Sequence, residues 1–296
     1  MQLSVTGLAR LRLNIAVFLF GFTAILGKLI STNAIAIVFW RMFFALGFLL
    51  LYKRWHSKNF EKLTLPVQLK LFAIGCIIAL HWFCFYGSVK LSHVSVALIC
   101  MALTPLFTAL IEPIILKQKM RMTDLWVSAA VTPLIYLMIG GILEFQWWGF
   151  VLGVLAALLA AVFSVLNKAS LGITDSETFI LYEFLGVFFF SAIPMAYLLT
   201  NQPLHVLIPL NVYDLIYMLV LSYFCTHIAF KLTIKGMKHV SAFETNLIIG
   251  LEPLYGILMA VFIFKEYQHF TAQFYFASLC ILGIVILYPI YRLKNV

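Results

Sequence analysis

Long apolar runs separated by short polar joints recur along the whole chain of 296 residues. A helix needs ~20 apolar residues to cross the hydrocarbon core of a bilayer, where its backbone groups must bond within the helix. Ten such runs nearly exhaust the chain, so no separate soluble domain fits. The predicted spans are Leu13–Ile30, Ala34–Tyr52, Leu69–Tyr86, Val94–Leu116, Leu125–Leu143, Gly149–Asn167, Thr178–Leu199, Asp214–Ile234, Val240–Phe264 and Thr271–Tyr291.

The low charge content of the chain points the same way. Charged residues make up 10% of the sequence, whereas a soluble domain carries roughly 25%. The surface must therefore face mainly the lipid bilayer. The net charge of +9 does not predict a nucleic-acid partner, because the basic residues are scattered in short clusters between apolar runs. The five cysteines lie inside apolar runs without metal-ligand spacing, so no metal or cofactor is predicted.

The basic residues also predict the orientation of the spans, since cytoplasmic joints are enriched in Lys and Arg. With the N-terminus in the cytoplasm, sixteen of the 20 Lys and Arg residues fall on the cytoplasmic side. Lys90 and Lys265 fall on the other side, and Lys28 and Arg41 lie within spans. The sequence predicts an all-α integral membrane protein with ten transmembrane helices and both termini cytoplasmic. Short joints and the lack of a targeting segment favour the inner membrane of a bacterial cell.

An internal repeat divides the chain into two halves. His81 and His227 each precede a second histidine by twelve positions, and both second histidines open a His-Val-Ser triplet. Thr104-Pro105-Leu106 matches Glu252-Pro253-Leu254, and Lys117-Gln118 matches Lys265-Glu266, both at an offset of 148 in the numbering. Lys28 matches Lys168. Collinear matches of this kind predict two five-span repeats, 1–144 and 145–296.

Five spans are an odd number, so the second repeat must enter the membrane from the opposite side to the first. Such inverted repeats, related by an in-plane pseudo-two-fold axis, are typical of secondary transporters, whose two related halves support alternating access. The sequence therefore predicts a secondary transporter. It does not identify the substrate, the coupling ion or the oligomeric state.

The chain also resembles the EamA-like branch of the drug/metabolite transporter superfamily. The resemblance rests on the two five-span halves, Gly27-Lys28, Arg41 within the second span, and the Pro in spans four and nine. Leu251-Glu252-Pro253-Leu254 followed by Phe264-Lys265-Glu266 is similar to that family's Leu-x-Pro and Gly-Glu signature. Lys117-Gln118 and Lys265 depart from it. The resemblance implies a central cavity lined by spans 1, 3, 4, 6, 8 and 9, and an amino-acid-like or drug-like substrate.

Glu252 is the strongest candidate site residue, because it lies near the middle of the ninth span. An ionisable group there costs roughly 2.5–3.5 kcal/mol on insertion scales, so it usually faces a cavity or a partner. Pro253 interrupts the helix beside it, as Pro105 does in the fourth span. Glu252 is expected to bind a substrate ammonium group or to exchange a proton. The alternative is a protonated carboxyl that joins two helices.

The remaining candidates are polar or aromatic residues of spans 3, 4, 8 and 9. Small polar side chains in span 4 share one helix face, which suits either a cavity wall or close helix packing. The two histidines can relay protons, although packing histidines are commoner. The small face of span 6 is expected to pack against span 1. The predicted cavity residues beside Glu252 are Thr104, Thr108, His81, His227, Trp82, Tyr86 and Tyr255.

Other function classes fit the sequence less well. A membrane-embedded enzyme needs clustered carboxylates, a Ser/Lys pair or metal ligands, and none of these patterns occurs in the sequence. A channel or sensor is expected to carry polar stripes along several spans, whereas this chain has isolated polar points. The predicted function is the transport, in the outward direction, of a small organic molecule, with protons as a candidate coupling ion.

Overall fold

Helices form nearly all of the regular structure. The computed structural model describes residues 4–56, 59–120 and 122–294; the ends of the two predicted repeats, at residues 1–3 and 295–296, lie outside the described residues. Within these ranges an isolated antiparallel bridge joins Ile142 and Phe270. The helices are α1 Val5–Leu29, α2 Ala34–Trp55, α3 Leu65–Leu91, α4 Val94–Met101, α5 Thr104–Ile115, α6 Met122–Gly140, α7 Trp147–Ser170, α8 Ser176–Asn201, α9 Val212–Ser222, α10 Ala229–Met237, α11 Ala242–Ile249, α12 Glu252–Ile263 and α13 Ala272–Lys294, with a π-helix at Tyr223–Ile228 and 3₁₀ turns at Leu204–Val206 and Glu266–His269.

Several helices begin at polar residues whose side chains accept hydrogen bonds from the first backbone N–H groups. Asn33 caps α2 in this way, Asp175 caps α8 and Ser241 caps α11. Partial burial alone would raise the pKa of Asp175, but hydrogen bonds from Thr178 and the nearby Lys53 ammonium hold that pKa below its ordinary value. These caps fix where the chain turns between spans.

Eight helical stretches of the described chain are long and apolar enough to cross a membrane. Large apolar side chains cover the outside of the bundle; Phe262 is 80% exposed and Ile193 is 71% exposed. Such a surface is stable in lipid and not in water. The helices α6 and α13 occupy the positions predicted for the fifth and tenth spans. The eight stretches are Val5–Leu29, Ala34–Trp55, Leu65–Leu91, Val94–Ile115, Trp147–Ser170, Ser176–Asn201, Val212–Met237 and Ala242–Ile263.

Within the described residues, three of the spans are interrupted near their middle. The fourth divides into α4 and α5, and the ninth into α11 and α12, each immediately before a Pro in the first turn of the following helix. The eighth contains the π-helix between α9 and α10. Where a helix is interrupted, some backbone N–H and C=O groups lose their i→i−4 hydrogen bonds. Such groups are tolerated at membrane depth only where they are buried in protein or line a cavity.

The two halves repeat each other closely in structure. Adding 148 to the bounds of α4 and α5 gives the bounds of α11 and α12. Lys117 and Lys265, which are related by the same offset, both adopt the left-handed conformation, with φ of 53° and 54°. At this spacing His81 corresponds to Ala229 and not to His227, so the histidine match in the sequence lies two residues out of register with the helices.

The contacts between the two halves occur in corresponding pairs, so that each half packs against the other in the same way. The first span of each half packs against the third span of the other, α1 on α10 and α7 on α3. The paired spans α4 and α12, and α6 and α13, also cross from one half to the other. The expectation that the small face of α7 packs on α1 is therefore wrong. Its main partners are α3, α4 and α5, and Gly153 meets Cys100 of α4.

A close helix crossing joins α3 and α8 through two glycines. A Cβ added at Gly75 would lie 2.1 Å from the carbonyl oxygen of Glu183, and one added at Gly186 would lie 2.2 Å from that of Phe72. Only the absence of side chains allows the two backbones to approach so closely. This crossing fixes α3, which carries much of one wall of the cavity described next.

Candidate functional site

A cavity lies between the two halves, at the level of the interruptions in spans four and nine. It encloses about 80 Å³, which is room for several waters or a small organic molecule, since one water needs ~10–15 Å³. Both halves contribute to its walls. The lining residues are Phe20, Thr23, Arg41, His81, Trp82, Phe85, Met101, Thr104, Ala160, Phe163, Ser164, Asn167, Phe230, Thr233, Ile234, Met237, Asn246, Ile249 and Glu252.

The cavity lies towards one end of the bundle. On α10 its lining reaches Met237, the last residue of that helix, whereas on α3 no lining residue follows Phe85. Beyond Phe85 the space is filled, because Tyr86 packs against Gly27, where a Cβ would lie 2.4 Å from the tyrosine ring. The filled end is the one at which α1 ends and α4 begins.

Glu252 is 6% exposed and lines the cavity at the start of α12. Its side chain accepts one hydrogen bond, from Thr23 Oγ1 to Oε1 at 3.3 Å. It makes no ion pair with any described residue. A carboxyl held by one long hydrogen bond is weakly anchored to the protein and remains able to bind a ligand or a proton.

Three further polar groups of the lining have no protein partner among the described residues. They are Thr104 Oγ1, Ser164 Oγ and Asn167 Oδ1, all of them buried. A buried polar atom without a hydrogen bond is costly and requires an explanation. Because these atoms belong to residues of the cavity wall, a polar ligand in the cavity would satisfy them. Asn246 is satisfied already, since its amide donates to Thr108 Oγ1 at 2.7 Å.

Aromatic side chains form the rest of the wall around His81. The imidazole Nδ1 lies 2.8 Å from the carbonyl oxygen of Ala156, so with its proton on Nδ1 the histidine donates to the helix α7. Its ring lies 5.4 Å from that of Phe163. Trp82 follows on the same helix, with its ring 5.7 Å from that of Phe230. His81 therefore has one nitrogen engaged in packing and one that remains available.

Arg41 of α2 also lines the cavity, although its place within the second span did not by itself predict that role. It is 1% exposed. Its guanidinium donates to Thr226 Oγ1 at 2.5 Å, to the Tyr86 hydroxyl at 2.7 Å and to the Cys225 carbonyl at 3.0 Å. It also lies 4.0 Å above the Trp82 ring. Cys225 and Thr226 belong to the π-helix, where the wider turn makes a main-chain carbonyl available.

The other predicted site residues lie beside the cavity without lining it. Thr108 and Tyr86 form a second layer, bonded to Asn246 and Arg41. Tyr255 packs its ring 5.7 Å from that of Phe18, on α1. His227 is buried near Tyr223 and Lys231, away from the cavity lining. The helix-interrupting residues Pro105 and Pro253 lie in the first turns of α5 and α12.

The structure thus brings together Glu252, Thr104, His81 and Trp82 from the predicted set. It adds Arg41, Thr23, Asn167 and others, which are polar residues inside apolar runs. That property is a signal the sequence does offer, since polar groups at membrane depth usually face a cavity or each other. Among the described residues, no group of three or more His, Cys, Asp or Glu side chains could hold a metal ion.

In each half, a lysine of the first span holds the joint that follows the third span. Lys28 donates to the carbonyls of Val89 and Ser92, both at 3.3 Å. Lys168 donates to the carbonyls of Met237 and Val240, at 2.8 and 2.5 Å. The acceptors of the two lysines are related by the same offset as the helices. Each lysine therefore satisfies the carbonyl end of the third span of a half, where the helix ladder leaves acceptors open.

Carboxylates hold the beginning of the next span in each half. Glu266 accepts the backbone N–H groups of Val94 and Ser95 at 2.8 and 2.9 Å, at the start of α4. Its counterpart in the first half is Gln118. At the start of α11 it is instead Glu112 that accepts the N–H of Phe243, at 3.0 Å. Gln118 takes the place of the glutamate in the Gly-Glu pattern, and Glu112 supplies the carboxylate that accepts the backbone N–H at the start of α11.

The fold and the site together define a multi-pass membrane protein built of two repeats around an internal cavity. The model of the EamA-like transporter family matches residues 11–140 and again residues 147–288. The chain therefore belongs to the EamA-like transporter family, as the sequence resemblance predicts. No curated protein matches it at a significant level.

A solved structure described as "Crystal structure of protein" is similar to this chain. Its TM-score is 0.70, and the match covers 97% of this chain and 98% of that one at 14% sequence identity. At such low identity the likeness shows the fold alone.

Proposed function

We propose that the protein is a secondary transporter that moves a small organic metabolite across the inner membrane of a bacterial cell by alternating access. The proposal includes ten spans with both termini in the cytoplasm, two inverted repeats and transport outward. It is supported by family membership over both repeats and by the exchanged contacts between halves, which a two-fold relation requires. The distribution of Lys and Arg supports the orientation.

The observation that carries the proposal is the cavity between the two halves. It contains the weakly anchored carboxyl of Glu252 and three polar atoms without partners among the described residues. A substrate bound there would touch both halves at once, so a change in their relative position would change its access. In the proposed orientation the cavity lies towards the cytoplasm and its filled end faces outward, which suits the loading step of an exporter.

The size of the cavity favours an amino-acid-like over a drug-like substrate. Pockets that enclose drug-sized molecules measure ~300–1,000 Å³. A cavity of about 80 Å³ is well below that range. A small metabolite with a few polar groups fits the space and the partners available, whereas a larger one requires the side chains of the wall to move.

We assign the polar step of transport to Glu252, which binds the ammonium group of a substrate or releases a proton in exchange. A purely structural role is expected to give the carboxyl two or more good hydrogen bonds. Its one described bond, at 3.3 Å, lies beyond the usual N–H···O and O–H···O distances. Replacing the carboxyl by an amide should therefore cost little stability.

The test begins with metabolite profiling of cells and medium with and without the protein, followed by flux measurements in proteoliposomes. Glu252→Gln removes the charge and the exchangeable proton, and Glu252→Asp keeps both but shortens the side chain. The proposal predicts that Gln abolishes flux or its pH dependence, with the melting temperature unchanged, and that Asp keeps part of the activity. Glu144→Gln, the same change at an exposed residue, is the matched control. Wild-type flux and an unchanged pH profile in Glu252→Gln would refute the role of Glu252.

A further inference from the structure

A second space in the described part of the chain is a groove on the outside of the bundle. It lies along α2, where α8 and α9 pack against that helix, and it measures about 390 Å³. Seven of its nine lining residues belong to α2, from Phe43 to Leu51, and Phe188 and Leu219 complete it. All nine are apolar. Sites of ~300–1,000 Å³ hold organic molecules of drug size, so the groove has room for an extended apolar chain.

Gly47 gives the groove its depth. A Cβ added at Gly47 would meet no heavy atom of a neighbouring helix within 4 Å. The side chains of α8 and α9 therefore leave open space over this part of α2. A space that stays empty loses the dispersion contacts of its walls, so it is filled by whatever apolar group can reach it.

The groove lies within one leaflet of the bilayer. Phe43 and Leu51 are eight residues apart, which is ~12 Å along a helix. One leaflet contributes ~15 Å to a hydrocarbon core of ~30 Å. Trp55, at the end of α2, is 87% exposed, and exposed tryptophans favour the membrane–water interface. The groove thus begins just below the headgroups, on the cytoplasmic side in the proposed orientation.

A cation without a partner lies at the headgroup end of the groove. Arg54 follows Gly47 by seven positions and Leu50 by four, a spacing that places all three residues on one face of α2. Its side chain is exposed, and it makes no hydrogen bond or ion pair with any described residue. The guanidinium therefore retains its donors for a ligand.

Neighbouring lysines at the same end of the bundle are paired with acids. Lys53 lies 3.6 Å from Asp175, at the start of α8. Lys231 and Lys235 of α10 lie 2.9 and 3.7 Å from the same carboxylate oxygen of Glu177. The charge of Arg54, in contrast, is not offset by a described acid.

We propose that the groove binds a phospholipid, with one acyl chain along residues 43–51 of α2 and the phosphate on the guanidinium of Arg54. An apolar chain that hangs below a negative phosphate matches an apolar groove that lies below a free arginine. Guanidinium groups bind phosphate oxygens through two parallel hydrogen bonds. An anionic headgroup such as phosphatidylglycerol is favoured over phosphatidylethanolamine, because the ammonium group of ethanolamine offsets the charge of its phosphate.

The bound lipid touches both halves of the protein. The helix α2 belongs to the first half, whereas α8 and α9 belong to the second. A ligand that requires a particular arrangement of the two halves stabilises that arrangement. The site is separate from the transport cavity and does not depend on which molecule is transported.

Two other occupants of the groove are bulk lipid and a second copy of this chain. Bulk lipid covers every apolar face of the bundle, so its contact depends on no single side chain and on no headgroup. A second copy produces a dimer. Headgroup preference, dependence on Arg54 and Gly47, and oligomeric state therefore separate the three occupants.

The first experiment is native mass spectrometry of the purified full-length protein, titrated with lipids that carry the same two oleoyl chains. The probes are dioleoylphosphatidylglycerol, dioleoylphosphatidylethanolamine and dioleoylglycerol, which lacks the phosphate. In the wild type we expect phosphatidylglycerol to bind about fivefold more tightly than dioleoylglycerol, which is the contribution of a basic residue near an anionic headgroup. Phosphatidylethanolamine should lie between the two.

The variants assign the headgroup and the chain to their residues. In Arg54→Gln the preference for phosphatidylglycerol should be lost, with the affinity for dioleoylglycerol within about twofold of the wild type. Arg54→Lys should retain part of it. Gly47→Leu places a side chain in the groove and should weaken all three lipids. The matched controls are Arg12→Gln on α1 and Gly283→Leu, at a helix glycine outside the groove whose surroundings are equally open.

The second experiment locates the chain. Phosphatidylglycerol with a photoreactive diazirine in one acyl chain is cross-linked to the protein in nanodiscs, and the labelled peptides are identified. Residues 43–51 should be labelled more strongly than the lipid-facing surface around Phe262, which is 80% exposed, and Gly47→Leu should remove the difference.

Three results would overturn the proposal. Equal labelling of the two surfaces indicates bulk lipid contact only. Lipid binding that neither Arg54→Gln nor Gly47→Leu changes places the bound lipid elsewhere. A dimer in the mass spectrum of the wild type that Gly47→Leu abolishes identifies a second copy of the chain as the occupant.

Discussion

The paired lysines at the joints give a sharp test of the structure, because their hydrogen bonds differ in length. Lys168 Nζ lies 2.8 and 2.5 Å from its two carbonyl acceptors, whereas both bonds of Lys28 are 3.3 Å long. Substitution by Met keeps the length and the apolar stem of each side chain and removes the ammonium group. The perturbation is therefore the loss of two hydrogen bonds in each variant, strong ones at Lys168 and weak ones at Lys28.

The expected magnitudes follow from those lengths. Hydrogen bonds to charged groups contribute ~1.5–3 kcal/mol each, and distances beyond ~3.2 Å weaken them steeply. Removing the half-buried ammonium group recovers part of its desolvation cost. We expect Lys168→Met to cost about 2–4 kcal/mol and Lys28→Met about 1 kcal/mol. At ~2–4 °C per kcal/mol, the melting temperature falls by roughly 4–16 °C and 2–4 °C respectively.

The assay is thermal unfolding in nanodiscs, followed by intrinsic fluorescence at one fixed scan rate, because membrane proteins often unfold irreversibly. Lys119→Met, the same change at an exposed residue outside the helices, is the control and should leave the transition unchanged. The double variant should lose the sum of the two effects, since the lysines hold different joints. If Lys28→Met costs as much as Lys168→Met, bond length does not determine the contribution and the reasoning fails.

Three further predictions concern orientation, backbone strain and helix packing. A cysteine at Asn201 in a Cys-less background should react with an impermeant thiol reagent outside intact cells, and one at His56 should not; labelling of both from one side contradicts the ten-span topology. Lys265→Gly should raise stability by about 0.5–1 kcal/mol because φ is 54° there, a conformation that glycine adopts without strain; a lower melting temperature contradicts this. Gly75→Ala should cost about 3 kcal/mol or prevent folding, because its Cβ would meet the Glu183 carbonyl. Gly47→Ala, with open space around it, should be neutral or stabilising, and equal effects of the two substitutions would refute the packing argument.

Much of the candidate site could be anticipated from residue type and position. Glu252 and Thr104 are polar groups beside a proline in mid-span, and both line the cavity. Arg41 was visible as a charge within a span, but its depth and partners were not. Its position depends on the π-helix at Tyr223–Ile228. The residue pattern of that segment does not predict a π-helix. His227 is a predicted site residue that does not line the cavity. The sequence match paired it with His81, whereas the helices pair His81 with Ala229, two residues further on.

The sequence by itself determined the membrane class, the places of the spans and the existence of two repeats. These follow from local properties: apolar length, breaks at proline and glycine, and basic residues at the joints. Only the tertiary structure decided which faces meet. The small face of α7 packs on α3 and not on α1. In lipid, every apolar helix face is equally soluble, so helices pair by complementary shape and by a few hydrogen bonds. Whether two faces are complementary depends on both helices and cannot be read from one of them. The same reason explains why Arg41 and Glu252, which lie in different halves of the sequence, face one cavity.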